Sequence, residues 1–266
     1  MDNSSDHNHG SSSSSSETTR SKRGKSVLVL VAKFPSSGRS KTRLAEGIGN
    51  EKAMLFAHAM IDDTLERFGG DKLMGTERVL YFSPKDSEDA FRKKCSDVCG
   101  AEKTWTLLPM PEGDLKSSSL THLLMEGLRR VRNMYGNDAA VAFCGMDSPL
   151  LSAEVAREAC EAALSREEAV LCPANDGGYV LVALPPKAPL AVFEDVEWSS
   201  PHTLRSQQKR LEACRVPVRI GDRFVDVDTI GDLVNIRKAI RNDKSNTGRL
   251  QSPRVVSLIE AMRVGE

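Results

Sequence analysis

Residues Val27 to Leu44 read V-L-V-L-V-A-K-F-P-S-S-G-R-S-K-T-R-L, and the fold class follows from how that stretch changes character. Val27 to Ala32 is an apolar run, long enough for one strand and β-branched at every other position. It stops at Lys33. A turn region with Pro35, Ser36, Ser37 and Gly38 follows, and four basic side chains fall within eleven residues: Lys33, Arg39, Lys41 and Arg43. α/β proteins usually hold phosphorylated ligands where a buried strand releases into a Gly-containing, cation-rich loop. A solvated basic loop is the plainer alternative. The neutrality of the chain as a whole, and the cluster's place directly after the first core strand, favour the anion site.

This stretch is not a P-loop. That motif needs G-x-x-x-x-G-K-[ST], with glycines that let backbone N–H groups cradle phosphates. Here Ser40 precedes Lys41-Thr42, and Phe34 stands where the first glycine would be. No G-x-G-x-x-G occurs elsewhere. Side-chain cations would therefore carry the phosphate contacts.

The chain has 266 residues with 39% hydrophobic content, enough for one good-sized core. Its 37 basic residues balance 37 acidic ones, so no global field draws it to nucleic acid or membrane, and neither is expected as a partner. No apolar run approaches the roughly 20 residues of a membrane span. The six cysteines include no C-x-x-C pair; Cys95 and Cys99 lie four apart without further ligands nearby to complete a zinc site. Several of the others read as small buried hydrophobes, which fits a reducing, cytoplasmic compartment.

Residues 1–24, with the serine run Ser11 to Ser16, hold too little apolar surface to offset ordering entropy and read as a disordered tail. The tail has no secretory h-region. Its Ser/Arg/Lys content is shared with organelle transit peptides, but Asp2, Asp6 and Glu17 count against that reading.

Residues 25–241 read as one domain without internal repeats, and 242–266 as linker plus a short amphipathic helix. After the basic loop, Asn50 is expected to cap a helix to about Phe68. Val79 to Phe82 reads as a strand, 86–98 as a charged helix, and Trp105 to Leu108 as a strand. The loop from Pro109 to Ser119 contains Gly113-Asp114-Leu115. Leu120, Leu123, Leu124, Gly127, Leu128, Val131 and Met134 then form one continuous helical stripe. Strands at Ala139–Cys144, Ala169–Cys172 and Tyr179–Leu184, a helix from Ser152 to Leu164, and an Arg-rich helix over 201–213 follow. Val216 to Ile220 and Phe224 to Val227 read as short strands before a last core helix ending near Ile240. Alternation of strands and helices argues for a Rossmann-like α/β fold, a mainly parallel sheet covered on both faces. Residues 169–184, strand–loop–strand without a helix, suggest a small antiparallel insertion.

Asp147, in Gly145-Met146-Asp147-Ser148-Pro149, ends a buried strand, so its carboxylate should project from the sheet edge that carries the cationic loop. A carboxylate beside phosphates makes physical sense chiefly through Mg²⁺ or Mn²⁺, since Mg²⁺ takes one or two carboxylates plus phosphate oxygens. The alternative, that Asp147 caps the next helix, is weaker because Ser152 is better placed. Asp226 and Asp228 project to one side of an extended segment and could add a second metal ligand. Alternatively Asp228 or Thr229 is the N-cap of the last helix, with Asp232 completing an approximate capping box. Gly177-Gly178 before Tyr179 allows a hairpin-type turn or close approach to a substrate. Trp198-Ser199 could stack on a ligand ring or simply be a half-buried loop. The five histidines show no catalytic arrangement, and nothing argues for a covalent nucleophile.

In this order, A-K-F-P-S-S-G-R-S-K-T-R-L, G-M-D-S-P, P-A-N-D-G-G-Y and D-V-D-T resemble the GT-A-like radical-SAM/selenodomain-associated transferases, also described as arsenosugar-biosynthesis glycosyltransferases. The resemblance spans about residues 26–240. It implies the nucleotide-diphospho-sugar transferase superfamily. It also implies nucleotide phosphates on Lys33, Arg39, Lys41 and Arg43 beside Gly38, a metal on Asp147, and polar residues near nucleotide and metal at Asp226 and Asp228. The chain departs from the family pattern at Ser37, where a second proline is usual. It departs again after Gly113-Asp114-Leu115, where Lys116 and serines replace Gly and Arg.

Three functions follow as expectations. The first is a metal-dependent glycosyltransferase moving a sugar from a nucleotide sugar to a small-molecule acceptor, with Asp147 at the catalytic centre and Asp176 as a candidate base. Gly177, Gly178, Tyr179, Trp198 and Ser199 would then bind substrate. The second is a nucleotidyltransferase joining an NTP to a phosphorylated acceptor. The third, motivated by residues 116–119, is a non-catalytic nucleotide-binding protein.

Overall fold

The apolar run that opens the domain is strand β1 (Ser26–Lys33), buried from Ser26 to Leu30. The computed structural model describes residues 24–70, 73–100, 105–111, 119–243 and 251–262. The expectations for the Ser-rich tail, for Gly113-Asp114-Leu115-Lys116 and for most of the 241–252 linker lie outside these residues.

β1 joins β2 (Thr76–Ser83), β3 (Thr106–Pro109), β4 (Ala140–Gly145), β5 (Ala169–Pro173), β6 (Tyr179–Leu184) and β7 (Val218–Ile220) in one seven-stranded sheet of order β3-β2-β1-β4-β6-β5-β7. β6 runs against its two neighbours, and the remaining pairings are parallel. The antiparallel insertion expected over 169–184 is thus the single strand β6, entered through an irregularity between Cys172 and Pro173. The chain builds outward from β1 to β2 and β3, then returns to place β4 on the other side of β1. That reversal creates a topological switch point at the carboxyl ends of β1 and β4, where Val31 stands opposite Gly145.

Alternation along β1 sends its side chains to two separate cores. Leu28, Leu30 and Ala32 pack with α2 (Asn50–Gly69), α3 (Glu88–Cys99) and α5 (Ala153–Ser165) through residues such as Ile61, Phe91 and Ala156. Val27 and Val29 pack on the opposite face against Leu124, Leu128 and Val131 of α4 (Ser119–Tyr135), and Leu211 of α6 (Thr203–Ala213) lies in the same core. Full burial of each such side chain is worth about 1.5–3 kcal/mol. Cys95, Cys144, Cys160 and Cys172 sit in the first core as free thiols.

Three readings of local structure are corrected, and one left open is resolved. Gly49, not Asn50, is the N-cap of α2; its φ of 87° is a conformation asparagine adopts less readily, and Asn50 is already helical. A short helix α1 (Thr42–Ile48) replaces the end of the expected loop. Its sequence, T-R-L-A-E-G-I, has too little periodicity to announce a helix; it is held by tertiary packing of Leu44 with Phe56, Leu233 and Val255. The expected strand Phe224–Val227 is reduced to one bridge between Ala174 and Phe224. There Val227 N donates instead to Asp147 O at 2.9 Å, pulling the segment toward the β4 loop. The last core helix is α7 (Ile230–Asn242), capped by Thr229 in a full capping box with Asp232, so Asp228 is free of that role. A final helix α8 (Pro253–Ala261) packs Val255 and Ile259 into a third core with Leu44, Phe56 and Leu233.

Candidate active site

The loop after β1 is folded by its own backbone. Phe34 N donates to Ser83 O at 2.7 Å, and Ser36 O accepts from both Arg39 N and Ser40 N at 3.2 Å. Gly38 takes the positive φ of 69° that this tight turn needs. Lys41 then adopts a left-handed conformation (φ 50°, ψ 49°) at the start of α1, a state that costs a lysine about 1–2 kcal/mol. Two ion pairs over-determine it. Its Nζ donates to Asp147 Oδ2 at 2.8 Å and to Asp228 Oδ1 at 2.9 Å, and only 10% of the side chain is exposed. Arg43 donates to the other oxygen of Asp228.

The charges are tuned accordingly. Burial pulls the Lys41 ammonium toward deprotonation, but the carboxylates of Asp147 and Asp228 outweigh it and the net shift is upward. Burial alone would raise Asp147; Lys41 reverses this and holds its carboxyl below the usual range. Among the described residues, Asp226 has no such cation. Burial, then the carboxylates of Asp176, Asp147 and Asp228, push its pKa up to about 6.

Asp147 is positioned from two sides. A Cβ at Gly145 would lie 2.7 Å from Asp147 Oδ1, so the glycine leaves the carboxylate room to turn back over the end of β4. On the other side, buried Arg67 of α2 holds the loop that follows. Its guanidinium donates to Pro149 O at 2.8 Å, to Ser252 Oγ at 2.9 Å and to Ser148 O at 3.4 Å.

Three cavities run along this edge of the sheet. One of about 300 Å³ is lined by Lys33, Arg39, Lys41, Arg43, Met146 and Asp228. A second, about 600 Å³, shares Lys33 and Arg39 and extends over Phe34, Ser83, Asp86 and Met110 at the ends of β1, β2 and β3. The third, about 280 Å³, lies on the β4–β6 side and includes Gly145, Asp176, Gly178, Tyr179, Trp198 and Ser199.

The structure therefore gathers Lys33, Arg39, Lys41, Arg43, Asp147 and Asp228 in one crevice, with Asp226 beside them and Asp176, Gly178, Tyr179, Trp198 and Ser199 next door. Gly38 shapes the turn rather than lining a cavity. Gly177 is also structural: its φ is 93°, a Cβ there would run into the Pro201 carbonyl oxygen, and its own carbonyl accepts from Leu204 N at 2.9 Å. Sequence reasoning missed Ser83, Asp86 and Met110, although ends of parallel strands at this edge were the available signal. It also missed Arg67, for which no sequence pattern stands out.

Among the described residues, no group of three or more His, Cys, Asp or Glu side chains is gathered as a ready-made metal cage. Lys41 instead sits between Asp147 and Asp228. The carboxylate excess around Asp226 is the feature a cation would relieve, and one or two carboxylates suffice for Mg²⁺ when phosphates supply the remaining ligands.

The sheet order, the single reversed strand and the crevice at the switch point define a mainly parallel α/β fold with helices on both faces and one antiparallel strand. Among solved structures, similarity is found to a protein from Desulfovibrio desulfuricans G20 provisionally described as a nucleotide-diphospho-sugar transferase. The TM-score is 0.74 at 21% identity, over 90% of this chain and 96% of the other. A CMP:2-keto-3-deoxy-manno-octonic acid synthetase complexed with CTP matches with a TM-score of 0.50 at 13% identity, over 83% of this chain and 100% of the other. A 4-diphosphocytidyl-2C-methyl-D-erythritol synthase from Anaerococcus prevotii DSM 20548 matches with a TM-score of 0.51 at 14% identity, over 82% and 97%. At these identities the likeness is one of fold. The family model described as "Uncharacterized protein conserved in bacteria (DUF2064)" matches residues 71–200. A search of curated proteins gave no match.

Proposed function

We propose that the chain is a transferase acting on a nucleotide-diphosphate sugar, passing the sugar to a small-molecule acceptor. The observation that carries this reading is the meeting of Lys33, Arg39, Lys41 and Arg43 with Asp147 and Asp228 at the switch point of the sheet. Fixed cations at that position neutralise a diphosphate as it departs, and preorganised charge of this kind often lowers a barrier more than any other effect. The crevice over Phe34, Ser83 and Met110 supplies a partly apolar slot for the nucleoside. Nucleotide phosphates would take Lys41 and Arg43 away from their carboxylates. Asp147 and Asp226 would then hold a divalent cation, which supplies Lewis-acid neutralisation of the diphosphate.

In the transfer itself, an acceptor hydroxyl oxygen bonds to the anomeric carbon while that carbon's bond to the diphosphate breaks. The hydroxyl proton passes to Asp176, and the nucleoside diphosphate leaves with the bonding electron pair. One observation favours a second reading. Four cations around one crevice are enough for a triphosphate, and structures of similar fold include the synthetase complexed with CTP and the 4-diphosphocytidyl-2C-methyl-D-erythritol synthase named above. In that reading a phosphorylated acceptor attacks the α-phosphate and pyrophosphate leaves.

Calorimetric titration of NTPs, NDPs and NDP-sugars, with and without Mg²⁺ or Mn²⁺, tests both. Metal-dependent binding of an NDP-sugar and its NDP supports glycosyl transfer. Preference for a triphosphate supports nucleotidyl transfer. Silence from every nucleotide overturns the phosphate crevice itself.

A further inference from the structure

The cavity on the β4–β6 side has the wrong chemistry for a polar sugar. Its floor is Leu120 and Leu124 of α4, Phe143 of β4 and Val182 of β6, with Tyr179 and Trp198 packed edge to face at 6.2 Å between ring centres. Both aromatic rings have their polar ends committed within the protein. Trp198 Nε1 donates to Thr121 Oγ1 at 2.7 Å, and Tyr179 Oη donates to Gln207 Oε1 at 3.0 Å. Thr203 Oγ1 likewise donates to backbone carbonyls, to Glu197 O at 2.6 Å or Ser200 O at 2.8 Å. Ser200 Oγ accepts from His202 N at 3.0 Å. A hexose seated here would bury several hydroxyls without partners, and each such group loses more than its contacts return.

What remains polar is Asp176, with the Ser199 hydroxyl beside it. Asp176 is exposed at the cavity's edge, with one oxygen held by Gly178 N at 2.8 Å, and it is the lining carboxylate. From this arrangement we infer that the acceptor is a small apolar molecule, one ring or a short alkyl chain, carrying a hydroxyl that reaches Asp176. The inference deepens the transferase reading and rests on it for the word acceptor. The volume of about 280 Å³ sits at the small end of ligand pockets, which limits the apolar body to one ring or a short chain. The specificity is exclusion: apolar walls favour removal of a ring from water, and two polar side chains are too few to partner the hydroxyls of a polyol.

The test uses the full chain and two separate titrations followed by ligand-observed NMR. Benzyl alcohol and methyl β-D-glucopyranoside probe the cavity, and the NTP, NDP and NDP-sugar panel probes the cationic crevice. Leu120→Trp and Val31→Phe each fill the cavity from a half-buried position, so one can stand in if the other fails to fold. Expected is binding of benzyl alcohol at least tenfold tighter than the glucoside, weakened at least tenfold by either filling variant, with nucleotide affinity unchanged. Equal or tighter binding of the glucoside overturns the inference, and so does benzyl alcohol binding that neither variant weakens. Nucleotides silent in every titration, with benzyl alcohol still bound and displaced by the filling variants, overturns the transferase reading instead and leaves the cavity's chemistry standing.

Discussion

Lys41 Nζ lies 2.8 Å from Asp147 Oδ2, joining the loop after the first strand to the loop after the fourth across 106 residues of sequence. The ammonium also pairs with Asp228, so one cation closes the crevice's acidic side. Lys41→Met leaves both carboxylates without their cation. Equilibrium urea unfolding should show a loss of about 1.5–3 kcal/mol, the range for hydrogen bonds to charged groups. Nucleotide affinity should fall in the same variant by at least tenfold, read by calorimetry.

Asp147→Asn keeps the shape and the backbone bond from Val227 but removes the charge. The Mg²⁺-dependent part of nucleotide binding should vanish while the far-UV spectrum is unchanged. Equal affinity with and without metal in both proteins would take Asp147 out of the site.

Asp226 gives a pH signature. Its carboxyl in the folded chain titrates near 6, above its ordinary value of 3.8, so the folded state binds the proton more tightly than the unfolded one. Its stabilising protonation is complete below about pH 4 and lost as pH rises through about 6. Asp226→Asn should therefore stabilise the protein at about pH 7.5 by roughly 1–2 kcal/mol, a figure discounted for its partial exposure, and flatten the stability curve between about pH 4 and 6. Unfolding measured in EDTA across that interval checks it.

Gly177→Ala places a methyl group against the Pro201 carbonyl oxygen at a positive φ, where nothing flexible can yield. A loss of about 2–3 kcal/mol is expected, together with blunted binding in the Tyr179–Trp198 cavity. Thermal unfolding and intrinsic fluorescence follow the two effects.

Arg67→Met removes the donor for Pro149 O, Ser252 Oγ and Ser148 O. Stability should drop by about 2–4 kcal/mol, as buried acceptors lose their partner. Amide hydrogen exchange over residues 147–150 should quicken more than over β4.

The strands of the sheet were legible because their apolar runs are local and β-branched, apart from the expected strand at Phe224–Val227, which is a single bridge; the cationic loop was legible because its charges are close in sequence. Asp147 could be assigned to the correct sheet edge because it directly follows a buried strand. Its partnership with Lys41 could not be read, since it depends on β4 returning beside β1. Helix α1 was hidden because Leu44 is fixed by distant Phe56 and Val255 rather than by a repeating stripe. Asp228 read as either cap or site residue. The capping box of Thr229 with Asp232 removes the capping role, and the Asp228 carboxylate turns to Lys41 and Arg43.

The returning path of the chain has a consequence for how such a protein can diversify. The cationic crevice draws on the ends of β1 and β2 and on α1; the apolar cavity draws chiefly on α4, β4, β6 and the Trp198 loop. The two touch at the Gly145–Met146 step. Mutations at Leu120, Leu124 or Trp198 can therefore remodel one wall while leaving the charged wall intact, so the selectivity of the two halves can drift independently within a single unbroken sheet.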